Sequence, residues 1–189
     1  MTDFKNTSLR TVALMAMCII VLQALVLYAM GRLPFCECGT ISLWSGDINS
    51  AENSQQIFDP YTFSHITHGL LFFLFFNLFP IPWWKKLLFA VAAESAWEIL
   101  ENTDLVINRY REGTISLGYY GDSILNSVMD TLAMIAGFLF ASKYRWWLTV
   151  LAILVLEVFL LWLIRDNLIL NIIMLIYPFE YIKSWQQML

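Results

Sequence analysis

An all-α bundle of membrane-spanning helices is the fold class this sequence predicts, on three observations. The chain is too apolar for a water-soluble domain: of 189 residues, 59% are hydrophobic and 14% charged, where a soluble domain carries about a quarter charged residues. Mean hydropathy is +0.65. The apolar residues come in runs of about 20, enough to cross roughly 30 Å of hydrocarbon as helix. Basic residues and tryptophans collect at the ends of those runs, as they do at membrane interfaces. We read one integral membrane domain over residues 1–189, with five spans and a C-terminal interfacial or half-inserted helix. No nucleic-acid partner is suggested, because Lys and Arg total only 11 and form no basic patch.

The first run covers residues 11–31. It is longer than a signal-peptide apolar region, and no small-x-small cleavage site follows it, so we expect an uncleaved span with a cytoplasmic N-terminus. A polar loop over 32–60 carries Arg32, Glu37, Asp47, Glu52 and Asp59. The second span covers about 61–80 and runs into Pro80-Ile81-Pro82-Trp83-Trp84-Lys85-Lys86. The third covers about 87–104, a loop reaches Gly121, and the fourth covers about 122–142. Lys143, Arg145, Trp146 and Trp147 repeat the basic-aromatic pattern, and the fifth span ends near Ile164. The stretch from Asn167 to Phe179 has 13 residues, ~20 Å of helix, too short to span comfortably. An interfacial helix fits it better, with Pro178 and the polar tail Ser184-Trp185-Gln186-Gln187 beyond.

The charges agree with this threading. Lys5, Arg10, Lys85, Lys86, Lys143 and Arg145 fall at the cytoplasmic ends, beside short turns where the positive-inside bias acts most strongly. Arg32, Arg109, Arg111, Arg165 and Lys183 fall on the other side, diluted among acids. Of the cysteines, Cys18 reads as a small packing residue. Cys36 and Cys38 form a C-x-C that lacks the second pair of a zinc knuckle. They are either a short disulfide, if the loop faces an oxidising space, or two unpaired thiols.

The chemistry concentrates in Glu94, Glu98 and Glu101, spaced i, i+4, i+7 and so within roughly 60° on one helix face. Each ionised carboxylate at bilayer depth costs about 2.5–3.5 kcal/mol, so the three require cationic or protonated company. The threading brings other polar sets to the same depth. His65 and His68 share a face near the start of span two, with Ser64 beside them. Asp122, Asn126 and Asp130 share a face at the start of span four, with Ser123 and Ser127. Two imidazoles and carboxylates from two other helices are what a divalent metal site in a bundle requires. The expected ligands are His65, His68 and Glu98, with Asp122 or Asp130 as a fourth. Zinc is one candidate ion. Glu94 or Glu101 would be the base activating a metal-bound water, and Asp130 completes the catalytic candidates.

Arg109 and Arg111, in the loop before span four, suit an anionic phosphate, with Ser64 and Asn126 as further substrate contacts. Taken alone, either arginine more often pairs with Asp104, Glu112 or lipid headgroups. Glu157, alone in span five, reads as an interhelical hydrogen-bond partner. Two other readings stand beside the metal site: a metal-free proton-transfer or carrier site, and a hydrogen-bonded structural plug with some acids protonated.

Several of these stretches also carry a resemblance. They are D-P-Y-T-F-S-H-I-T-H-G (59–69), E-S-A-W-E-I-L-E-N-T (94–103), I-N-R-Y-R-E-G-T (107–114), G-D-S-I-L-N-S-V-M-D-T (121–131) and R-D-N-L-I-L-N (165–171). With C-x-C-G at 36–39 and Leu43-Trp44, they resemble an uncharacterised family of multi-pass bacterial inner-membrane proteins over nearly the whole chain. Gln56 and Pro60 depart from that pattern, where His and Trp are common. A weaker likeness, through Gly121, Asp122, Asn126 and Asp130, is to the VanZ-like and YjdF-like membrane proteins. It implies envelope chemistry without naming a reaction. Together these readings lead us to expect a periplasm-facing site acting on a lipid or lipid-linked substrate by metal-assisted hydrolysis or transfer. The alternatives are a proton- or cation-coupled carrier and an assembly factor.

Overall fold

The computed structural model describes residues 7–114 and 118–187. Among them eight helices form and no strand does: α1 Leu9–Ala29, α2 Thr62–Phe76, α3 Trp83–Glu101, α4 Asp104–Gly113, α5 Ile124–Lys143, α6 Trp146–Ile164, α7 Leu168–Ile176 and α8 Glu180–Gln186. The expected all-α class is what forms. Three helices, α1, α5 and α6, are long and apolar enough to cross a membrane, and α2 is a shorter apolar helix. α3 has the length, at 19 residues, but carries Lys85, Lys86, Glu94, Glu98 and Glu101. The expected basic residue Lys5 lies outside the described residues.

Local chemistry sets the ends of the helices. The Ser8 side chain accepts from Thr11 N at the start of α1, which satisfies one orphan donor of the first turn. At the other end Gly31 takes φ +82°; Gly31 N donates to Tyr28 O and Arg32 N to Leu27 O. That paired pattern closes a helix through a left-handed glycine. Ser123 caps α5 and Asn167 caps α7 in the same way as Ser8.

α5 is the central helix: half of its apolar window is buried, against 22% for α1 and for α6. Its partner is α2, and glycines set how closely the two approach. A Cβ at Gly69 would fall 1.9 Å from Met134 O, and one at Gly137 would fall 2.2 Å from Ile66 O. Only glycine allows backbone on backbone here, the contact that small residues provide in membrane helix pairs. α2 and α5 run parallel, so their far ends lie together, as the Phe73–Phe138 ring contact shows.

The bundle is divided along its length. Toward the basic turns, Val12, Ala16, Leu87, Ala90, Val91, Met134 and Phe138 form an apolar core. Toward the other end the buried residues are polar: Gln23, Glu94, Ser95, Glu98, Asn126, Ser127, Asp130 and Thr131. The long loop 32–60 folds over this polar end. Ser123 N donates to Ser54 O, Gln55 Nε2 to Gly121 O, and Asn126 Nδ2 to Gln56 O. Cys36 and Cys38 are joined as a disulfide within it.

Two local expectations are corrected. Residues 104–113, expected as loop, are the helix α4. Val106, Ile107 and Tyr110 lie on its buried face, with Asp104 in the first turn and Arg111 in the last, where each sign suits the helix dipole. The C-terminal stretch, expected as one helix over 167–179, forms two short ones, α7 and α8, and α7 at nine residues is ~14 Å long.

Candidate functional site

Three helices assemble the centre. His65 Nδ1 lies 2.6 Å from Glu94 Oε1 and 3.2 Å from Glu98 Oε1, and its Nε2 lies 3.8 Å from Asp130 Oδ2. His68 Nδ1 lies 3.0 Å from Glu94 Oε2. Glu94 is therefore clamped between two imidazoles, and His65 touches acids on both sides. All four partners are buried or nearly so: Glu94 is 0% exposed, Glu98 1%, Asp130 3% and His65 7%. The i, i+4 spacing of Glu94 and Glu98 puts both on the face of α3 that meets α2. The Gly69 and Gly137 approach brings Asp130 to the opposite edge of the His65 ring.

Two overlapping groups have the spacing of metal ligands, His65–His68–Glu94 and His65–Glu98–Asp130. The expected histidines belong to them, but the acids divide differently from the sequence reading. Glu94, expected as a base, joins both histidines. Of the two candidates for a fourth ligand, Asp130 belongs to these groups and Asp122 does not. Asp122 instead lies just ahead of α5 and accepts from Asn102 Nδ2 at 2.7 Å and Tyr119 OH at 2.9 Å. Burial raises the Asp122 carboxyl above its ordinary range. The donor set is mixed N and O, which suits zinc and other borderline divalent ions. Glu98 Oε1 and Asp130 Oδ1 are buried without a hydrogen-bond partner, where buried acceptors are nearly always satisfied. These residues fit a cation.

A cavity of about 150 Å³ opens beside the centre. Ser64, His65, His68, Glu101, Asp122 and Asp130 reach it, with Tyr61, Trp97, Tyr110 and Tyr119 among its walls and Leu168, Asn171 and Ile172 of α7 along one side. Ser64 is thus at the site. Asn126 is not: it donates to Gln56 O and to Asp59 Oδ2, tying the loop to α5. Arg109 and Arg111 also lie outside the walls. Arg109 donates to Leu175 O and Ile176 O at the end of α7, and Arg111 donates to Tyr119 O. Glu157 accepts from Ile169 N at the start of α7. These three residues hold α7 and the loop in place.

The sequence reading passed over Gln23. Its amide donates to Ser127 Oγ at 2.9 Å and accepts from Ser95 Oγ and Thr131 Oγ1. Ser127 Oγ in turn donates to Glu98 Oε2 at 2.6 Å. A lone amide inside an apolar span was the available signal. Asp59 was also given no role. It accepts from Tyr61 N and Thr62 N at the head of α2, and burial, with Asp122 nearby, pushes its carboxyl up to about 6.

The fold and this centre define an all-helical protein of membrane-type composition with a buried histidine–carboxylate cluster under a small cavity. The chain belongs to the family described as "Protein of unknown function (DUF2585)", whose model matches residues 27–188. It is similar to a UPF0314 protein of Sphingopyxis alaskensis, 52% identical over 179 residues that cover 94% of this chain and 95% of the relative. A UPF0314 protein of Sinorhizobium fredii is 55% identical over 170 residues, 89% of this chain and 86% of the relative. One of Agrobacterium fabrum is 51% identical over 173 residues, 90% and 87%. No solved structure matches.

Proposed function

We propose that this chain is a five-span protein of the bacterial inner membrane, N-terminus cytoplasmic, that holds a divalent metal at its periplasmic end. With that metal it hydrolyses or transfers a group on a lipid or lipid-linked envelope substrate. The observation that carries this reading is the pair of buried carboxylate oxygens that receive no hydrogen bond, Asp130 Oδ1 and Glu98 Oε1, the latter 3.2 Å from His65 Nδ1. A divalent ion there would supply a water of lowered pKa. The chain's own part is to hold His65 through Glu94, to orient Glu98 through Ser127 and Gln23, and to leave Glu101 at the cavity as a proton acceptor. Counting α2 and α3 as spans is supported by the parallel course of α2 and α5 and by Lys85, Lys86, Lys143 and Arg145 at one end.

Metal analysis of the purified full chain tests the reading. We expect about one equivalent of divalent metal per chain, lost on His65→Ala and on Glu98→Gln. A metal-free wild-type protein that still complements a deletion strain overturns it. That outcome promotes the second reading, a proton- or cation-coupled carrier. The continuous file His68, Glu94, His65, Glu98, Ser127 and Gln23, which runs from the cavity into the bundle, favours that alternative.

A further inference from the structure

We infer that the cavity receives a positively charged, amine-bearing headgroup of an amphiphile, where the loop arginines had suggested an anionic one. This deepens the lipid-substrate reading above and rests on it for the site, though not on the metal. Charge is the first ground. Among the described residues lining the cavity there is no Lys or Arg, its two histidines are each paired with Glu94, and three carboxyls reach it: Glu101, Asp122 and Asp130. Arg109 and Arg111 are engaged with backbone carbonyls elsewhere.

The second ground is hydrogen-bond polarity. The buried, unpartnered side-chain atoms on the cavity walls are Asn53 Oδ1 and Asp130 Oδ1, both acceptors. The Asp122 oxygens already receive two donors, from Asn102 and Tyr119. Both orphaned atoms thus call for a donor, which an ammonium supplies and a phosphate or sulfate, itself an acceptor, does not.

The third ground is shape. Tyr61, Trp97, Tyr110 and Tyr119 present aromatic rings to the space, and the Tyr110 and Tyr119 rings stand edge to face with centroids 5.4 Å apart. Aromatic walls with carboxylates behind them are the chemistry that attracts ammonium and quaternary ammonium groups. A volume of about 150 Å³ takes such a headgroup and excludes the chains. Those chains have a path along α7, where Ile169, Ile172 and Ile176 are exposed.

Calorimetric titration of the purified full chain, in a neutral polyoxyethylene detergent, tests this with three probes of equal chain length: hexylammonium, hexyl sulfate and hexyl glucoside. We expect the ammonium to bind at least tenfold more tightly than either of the others. Glu101→Gln and Asp122→Asn should each weaken it about tenfold. Wild-type selectivity stands as a test even where a variant fails to fold. Tighter binding of the sulfate, or equal binding of the glucoside, overturns the inference. Repeating the titration after chelation, and with Glu98→Gln, separates it from the metal reading: ammonium binding that persists there supports the inference even if no metal is ever found.

Discussion

Single residues set both the polarity of the site and its pH response. Asp166, just beyond α6, is buried at 6% exposure and that burial pushes its carboxyl up to about 6, against lowering hydrogen bonds from Asn167, Asn171, Tyr61 and Gln186. The folded state thus binds the proton more tightly than the unfolded chain. Stability from this group is fully present below about pH 4 and is lost as pH rises to about 6, a difference on the order of 2–3 kcal/mol. Asp166→Asn keeps the acceptor and does not titrate. Thermal unfolding in detergent should show the variant more stable than wild type at pH 8 and indistinguishable at pH 4; equal curves at both pH values would refute the account. Gln23 makes a second residue-scale case. Gln23→Leu removes the amide that orients Ser127 beneath Glu98, and loss of such an outer-shell partner costs ~10–100-fold in metal affinity. Competition with a chromogenic chelator measures it, and an unchanged affinity would reduce Gln23 to a packing residue.

At the scale of elements, the decisive contact is α2 against α5. Because Gly69 and Gly137 leave no room for a Cβ, Gly69→Val must push the helices apart and drag His65 from Asp130. We expect a loss of at least ~2 kcal/mol, read as a drop in the midpoint of unfolding and in membrane level, whereas Gly118→Ala, which meets nothing within 4 Å, should change neither. The elements also show where sequence reasoning stopped short. The three acids of α3 and the two histidines of α2 were legible from helical spacing alone. The helix α4 was not, because at ten residues its period is brief and Asp104, Asn108, Arg109, Arg111 and Glu112 make it read as loop. Its arginines, expected to face a ligand, turn instead to the carbonyls at the end of α7 and of the loop. The α7 carbonyls are of the kind left unmet at every helix C-terminus, and which helix end lies nearby is a tertiary fact.

At the scale of the whole molecule, the apolar core at one end and the polar cluster at the other give the bundle a direction. Lys85, Lys86, Lys143 and Arg145 lie at the apolar-core end, and the loop with the Cys36–Cys38 disulfide covers the other. With five spans and a cytoplasmic N-terminus, a reporter fused after Leu189 should be active only if it is of the periplasmic kind. A fluorescent cytoplasmic fusion at that position would require an even number of spans and would refute the proposed threading. The direction also places the cavity at the end opposite the basic turns, next to α4 and α7.

What the sequence determined alone was whatever depends on local period and composition. The all-helical class, the apolar runs and the shared face of Glu94, Glu98 and Glu101 all follow from 3.6 residues per turn and from the free energy of moving side chains into hydrocarbon. What only the tertiary structure decided was which polar atom meets which. A rotation and slide of one helix by about a turn exchanges Glu94 for Glu98 beside His68. That rotation is set by the backbone contact at Gly69 and Gly137 and by the hydrogen bonds of Gln23, each a meeting of residues distant in the chain. Spacing puts groups on a common face, and only packing turns that face toward a partner.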